Sequence, residues 1–143
     1  MNWKIKTFDE LTGKEIYEIL RSRAEIFVKE QRISYVDPDG VDYKSWHVFA
    51  TENDKVCAYL RAFKAGEDTI KIGRVLTLIH GKGTGTQLMK YAISELKAKT
   101  GCNKIIMDAQ SHAISFYQRL GFTITSEEYL EEGIPHVDME ITL

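Results

Sequence analysis

The sequence has little of what would staple, anchor or charge-target a chain. Its two cysteines, Cys57 and Cys102, each sit in or beside a strand-like stretch, so at most one disulfide could form. Two reduced thiols fit a cytoplasmic protein better than a secreted one. No stretch approaches the roughly 20 apolar residues of a membrane span, and Met1–Lys6 carries no apolar run of the signal-peptide kind. The formal charge is −2, with lysine and arginine scattered rather than clustered, which leaves no nucleic-acid footprint. The four histidines show no metal-ligand spacing, and residues 37–42 lack the twelve-residue calcium-loop pattern, so no metal is expected.

What is present is an ordinary apolar fraction, 43% of 143 residues, enough for one domain over 1–143 with its own core. Alternation predicts a first strand at 2–8, and helical spacing of Ile16, Ile19, Leu20, Ala24, Phe27 and Val28 predicts a helix from Thr12 to Glu30. A turn-rich acidic loop, 31–42, follows. Ser45–Thr51 and Lys55–Lys64 read as a β-hairpin, then a strand Thr69–Ile79, a helix Thr84–Lys99 and a strand Lys104–Asp108. Ser111 is a candidate cap for a helix ending at Gly121, and strands 122–125 and 137–143 flank a loop at 126–136. The strand–helix–strand unit 70–108 should be right-handed and parallel, and the hairpin antiparallel, giving an α/β (α+β) domain with a mixed sheet. No internal repeat or linker interrupts it.

The most telling stretch runs from Arg74 to Met89. An apolar strand enters a turn with glycines at 81, 83 and 85 and opens directly into an amphipathic helix. Backbone N–H groups freed by glycine, placed at a helix N-terminus, form a cradle for an anion such as phosphate. The triphosphate loop needs Gly-x-x-x-x-Gly-Lys-Ser/Thr, but Gly83 follows Gly81-Lys82. The dinucleotide loop needs Gly-x-Gly-x-x-Gly in the first strand–helix unit, but the spacing here is Gly-x-Gly-x-Gly and late in the chain.

His80-Gly81-Lys82-Gly83-Thr84-Gly85 resembles the pyrophosphate loop of the GNAT acetyltransferases, Gln/Arg-x-x-Gly-x-Gly/Ala, with His80 in place of the usual first residue. Downstream, Ala113 to Phe122 resembles the same family's Ala-x-x-x-Tyr-x-x-x-Gly-Phe helix. Three further segments, Arg23–Gln31, Asp37–Asp42 and Glu128–Val137, resemble the ElaA-like branch of that family, so the likeness covers nearly the whole chain.

The resemblance implies the GNAT fold, with a central sheet of about seven strands splayed between strands four and five. Acetyl-CoA would lie in that V as co-substrate. Val75, Leu76 and Thr77 would pair with the pantetheine through their backbone, and His80, Gly81, Lys82, Gly83, Thr84, Gly85 and Thr86 would hold the pyrophosphate, with Phe116 in the wall of the slot. Transfer to the primary amine of a small molecule would be direct, so neither cysteine needs a nucleophilic role. Tyr117 occupies the family's position for the acid that assists the leaving thiolate. Many relatives carry a glutamate base on strand four; this chain has Arg74 there. By period-two counting Arg74 shares a face with Ile70, Ile72, Leu76 and Leu78, which leaves it as a buried ion pair, a residue re-aimed by a bulge, or an anchor for an acidic group on the acceptor. The candidate bases are Glu30, Asp37, Asp39, His47 and His136, of which His136 is best placed, and Glu30 and Asp39 are candidates for the acceptor pocket. A homodimer is an expectation by analogy. The alternatives are a non-catalytic acyl-CoA-binding sensor and a protein N-acetyltransferase.

Overall fold

Alternation drives the sheet, and in a computed structural model describing Met1–Leu143 the odd and even residues of its strands fill two separate cores. β2 (Trp46–Glu52) and β3 (Lys55–Lys64) form the expected antiparallel hairpin, in which Phe49 lies opposite Tyr59. Both belong to a smaller cluster beneath α1 (Gly13–Arg23), whereas Val48, Ala50, Ala58 and Leu60 join a larger one of 20 buried residues beneath α2 (Thr84–Thr100). Leu88, Met89, Ala92 and Leu96 present the apolar stripe of α2 to that larger core. Cys57 and Cys102 are buried there as free thiols.

The remaining strands are β1 (Asn2–Thr7), β4 (Thr69–Thr77), β5 (Lys104–Gln110), β6 (Thr123–Ile124), β7 (Tyr129–Glu131) and β8 (Ile134–Thr142), with α3 (Ile114–Arg119) after β5. The sheet has eight strands, one more than about seven, in the order β1-β2-β3-β4-β5-β8-β6, with β7 on β8. The extra strand is β7. The 126–136 loop contains a hairpin that turns at Glu132-Gly133, so β8 starts at Ile134 rather than 137.

Three expectations are corrected in detail. The helix over 12–30 starts as foreseen, with Thr12 and Glu15 exchanging hydrogen bonds as a capping box. It then widens into a π-helical segment, Ala24–Glu30, closed by an i→i+5 bond from Gln31 N–H to the Ile26 carbonyl. Ser111 does not cap α3; its hydroxyl donates to Glu128 at 2.8 Å, and a 3₁₀ turn, Ser111–Ala113, leads into the helix. Within the acidic loop, Val41–Lys44 forms a second 3₁₀ turn.

The third difference matters most for the site. β4 carries a β-bulge: Tyr59 and Arg61 on β3 are two residues apart, while their partners Leu76 and Gly73 are three apart. Arg74 sits in the bulge with φ +52°. The inserted residue reverses the alternation, so Ile70 and Ile72 face the larger core and Leu76 faces the smaller one. Arg74 therefore does not share a face with Ile70 and Ile72, as strict alternation predicts, but lies over Tyr35 on the smaller-core side with Leu76 and Leu78.

Candidate active site

β4 and β5 run parallel only from the Thr69–Lys104 pair to the Ile72–Met107 pair. Beyond it β4 continues against β3 alone and β5 continues against β8 alone. The two strands separate at the bulge and leave a cleft of about 450 Å³, with Gly73, Arg74 and Val75 on one wall and Asp108, Tyr117 and His136 on the other. The β4 edge over Val75, Leu76 and Thr77 has no β5 partner, which leaves backbone groups available to an extended ligand.

At the far end of β4 lies the glycine turn. Gly81 and Gly83 both hold positive φ, +75° and +72°, which their residue type permits. Gly83 is the N-cap of α2, and no side chain caps that terminus. The first intrahelical bond runs from Gln87 N–H to the Gly83 carbonyl, so the N–H groups of Thr84, Gly85 and Thr86 keep their donor capacity. His80 and Lys82 are exposed on the same turn. Gly85 serves a different purpose. A Cβ there would lie 3.3 Å from Phe116 Cζ, so its absence lets α3 approach the first turn of α2.

Tyr117 is 6% exposed and its ring packs edge-on against Phe116 and Phe122. No group of the chain hydrogen-bonds to its hydroxyl, although the residue lines the cleft. Burial pushes that hydroxyl well above the ordinary tyrosine range, so it stays protonated and able to donate.

His136 is buried beside it on β8, opposite Gln110, with its ring stacked on Tyr129. Its Nδ1 lies 2.7 Å from the Ile134 carbonyl, and its Nε2 lies 3.4 Å from Glu131. A carbonyl oxygen can only accept, so Nδ1 carries the hydrogen, and Nε2, beside the Glu131 carboxylate, is the second ring nitrogen at the cleft-lining residue.

The other candidate bases are spent elsewhere. Glu30 is exposed at the end of the π-segment and does not line the cleft. His47 is buried, donating from Nε2 to the Asp42 carbonyl and accepting at Nδ1 from the Tyr59 hydroxyl, and burial lowers its basicity. Asp37 accepts from Arg23, Arg74 and the Tyr35 hydroxyl. Asp39 receives both Nη groups of Arg61 at 2.7 Å, and these hydrogen bonds hold its pKa down at about 2. Glu30 thus lies away from the cleft, and both oxygens of Asp39 are occupied by Arg61.

Arg74 also resolves as an ion pair within the chain. Its Nε meets Asp37 at 3.0 Å, its Nη2 meets the Asp37 carbonyl at 3.1 Å, and its guanidinium lies 4.8 Å from the Tyr35 ring centre. It lines the cleft, with Nε and Nη2 holding the acidic loop and Nη1 without a partner in the chain. Behind it, fully buried Arg23 bridges Asp37 at 2.8 Å and Asp42 at 2.6 Å, and Arg61 reaches Asp42 at 3.2 Å. Three arginines and three aspartates thus fasten residues 37–42 to the sheet. Buried charges persist only with such partners. The single buried side-chain nitrogen left without one is Arg61 Nε.

Several groups at the cleft escaped the sequence reading. Asp108, Glu131 and Glu132 line it, as do Gln31 and Gln110, whose amides exchange hydrogen bonds of 3.0 and 3.4 Å between the π-segment and β5. A Glu-Gly step between two β-like triplets was the available signal for the β7–β8 turn. No sequence signal links Gln31 to Gln110.

A splayed sheet, an uncapped glycine turn at a helix N-terminus and a tyrosine with no partner at the mouth define an acyltransferase-type architecture. Residues 25–143 match the family described as an acetyltransferase (GNAT) domain. The chain belongs to the GNAT acetyltransferase family. Within it, ElaA of Escherichia coli K12 is 33% identical across 97% of this chain and 95% of its own length. The crystal structure of E. coli ElaA superposes with a TM-score of 0.92, covering 98% of both chains. An acyl-CoA N-acyltransferase from Pseudomonas aeruginosa superposes equally well, with a TM-score of 0.92 and 35% identity over 98% of both chains. A UPF0039 protein of Synechocystis is 34% identical over 97% of this chain and 94% of its own length. No helix is long and apolar enough to cross a membrane.

Proposed function

We propose that the protein transfers an acetyl group from acetyl-CoA to the primary amine of a small molecule, directly and without an enzyme-bound acyl intermediate. The observation that carries this reading is the hydroxyl of the buried Tyr117 ring, unpartnered within the chain and lining the cleft where β4 leaves β5. The pantetheine would lie along Val75, Leu76 and Thr77 as an added strand. The pyrophosphate would rest on residues 80–86 at the start of α2, with Phe116 closing the wall.

The acceptor nitrogen attacks the thioester carbonyl carbon, the C–N bond forms, and the C–S bond breaks with sulfur leaving as thiolate. A thiol ordinarily titrates near 8.5 and this tyrosine lies well above 10, so full transfer of its proton to sulfur is uphill. Tyr117 instead donates a hydrogen bond to the sulfur as charge develops there. The amine is the costlier problem. An alkylamine with a pKa of about 10.4 needs about 4–5 kcal/mol to be neutral at pH 7. His136 Nε2 takes the proton that the attacking nitrogen loses, and its Nδ1 bond to Ile134 holds the ring at the cleft. Glu131 then balances the imidazolium.

The test is a screen of diamines, amino sugars, amino acids and peptides with acetyl-CoA, reading free thiol release. Turnover of at least one small amine supports the reading. Acetyl-CoA binding with no turnover of any of them overturns it in favour of a sensor.

A further inference from the structure

The charges around the cleft say which amine it suits. Three cationic side chains line it, and each is neutralised within the chain: Arg61 by Asp39 and Asp42, Arg74 by Asp37 and Asp39, and Lys71 by Asp108 at 3.1 Å. Of its three carboxylates, only Asp108 is matched by a lysine or arginine. Glu131 has His136 at 3.4 Å as its sole partner and is about half exposed. Glu132, at the tip of the β7–β8 turn, is exposed and makes no ion pair or hydrogen bond. An acceptor with a free carboxylate would find no free cation here and would meet two anions. That reverses the role of Arg74 as an anchor for an acidic group. The same cleft is lined by Tyr117, a buried ring whose hydroxyl has no partner in the chain, which marks it as a place for a bound molecule independently of its charge.

We infer that the acceptor is a primary amine carrying a second positive charge, such as a diamine or polyamine, whose distal ammonium sits against Glu131 and Glu132 while its reacting nitrogen approaches His136. This rests on the transferase reading and narrows its substrate class. Because both carboxylates are exposed, their preference for a cation is screened by salt.

The probes are 1,4-diaminobutane, 1-aminobutane and 4-aminobutanoate, of nearly equal length and differing at the far end. Expected kcat/KM falls in that order, by about fivefold per step, in line with exposed ion pairs of up to about 1 kcal/mol. Glu132→Gln should lower the diamine value about threefold to fivefold and leave 1-aminobutane within twofold. Raising the salt from 0.1 to 1 M should compress the ranking in the wild type. Equal or better use of 4-aminobutanoate, or an equal loss for both amines in Glu132→Gln, overturns the inference while the transferase reading survives. Thiol release from no amine at all overturns both.

Discussion

Tyr117→Phe should move rate and stability in opposite directions, and the structure says by how much. The ring packs against Phe116 at 5.1 Å and Phe122 at 5.8 Å between centroids, and phenylalanine keeps both contacts. The deleted hydroxyl has no partner in the chain, so its loss leaves no group unsatisfied. The expected stability change is between zero and a gain of about 1 kcal/mol, or up to about 4 °C in melting temperature for a chain of this size. In the transition state, however, the developing thiolate loses its donor. Removing one preorganised donor to a developing anion costs on the order of 10²–10³ in kcat, about 2.7–4 kcal/mol. Burial keeps the wild-type tyrosine protonated well past neutrality, so this loss should be uniform from pH 6 to 9. Initial rates of thiol release, acetyl-CoA titration and thermal melts on both proteins decide the matter. A kcat within about threefold of wild type refutes the donor role. A melting temperature that falls by more than 5 °C refutes the claim that the hydroxyl is structurally idle.

Arg23→Met strips the fully buried guanidinium from Asp37 and Asp42. It should lose about 3–5 kcal/mol in urea unfolding, toward the lower end because Arg61 and Arg74 remain, and a loss under 1 kcal/mol would show the network to be dispensable. Gly83→Val places a branched side chain at φ +72° in open space. It should cost about 1–2 kcal/mol of stability and at least tenfold in acetyl-CoA affinity, and unchanged affinity by calorimetry would remove the cradle assignment. Stability should also fall in two stages on acidification. Burial depresses the folded pKa of His47, so the unfolded chain binds the proton first, and stability declines as pH drops below about 6.5. Asp39, held at about 2 by Arg61, contributes stability above its unfolded value of about 3.9 that is lost as pH falls toward 2. His47→Gln should flatten the first stage of the melting-temperature profile, and an unaltered slope would place that stage elsewhere.

Much of the framework was legible because it is written in local patterns. The hairpin over 45–64, the β4–α2–β5 unit and the glycine turn each follow from periodicity and turn chemistry within a few dozen residues. The glycine turn and the unpaired β4 edge lie inside that unit, so they came with it. The charged wall of the cleft did not, because it depends on charges brought together from distant segments. Arg23 stands at helical spacing from Ile19 and Phe27, and Arg61 stands inside the apolar run Val56–Phe63. A cation in an apolar pattern demands a buried anion, and that was the overlooked signal for the ion-pair network. The acidic residues of the loop invited the opposite reading, as open substrate ligands, because their partners are 14 to 37 residues away. The π-segment left no trace in the pattern, since its apolar residues still fit a helical repeat.

The bulge at Arg74 accounts for both the cleft and the wall beside it. It had a sequence signal, Gly73 within a strand, which often marks a bulge or a close backbone approach. Without the extra residue, β4 would keep its parity, Leu76 would fall into the larger core with Ile70 and Ile72, and Arg74 would enter an apolar face with no anion. With it, Leu76 turns to the α1 side, the β4 edge past Ile72 has no β5 partner, and the guanidinium is delivered to Asp37. Two of its nitrogens, Nε and Nη2, are then committed to the acidic loop. Its charge is cancelled by the loop it fastens, and so is that of Arg61, which leaves Glu131 and Glu132 to set the electrostatic character of the cleft. A single inserted residue in one strand thereby opens the cleft in which the proposed transfer would take place and ties the acidic loop to its wall.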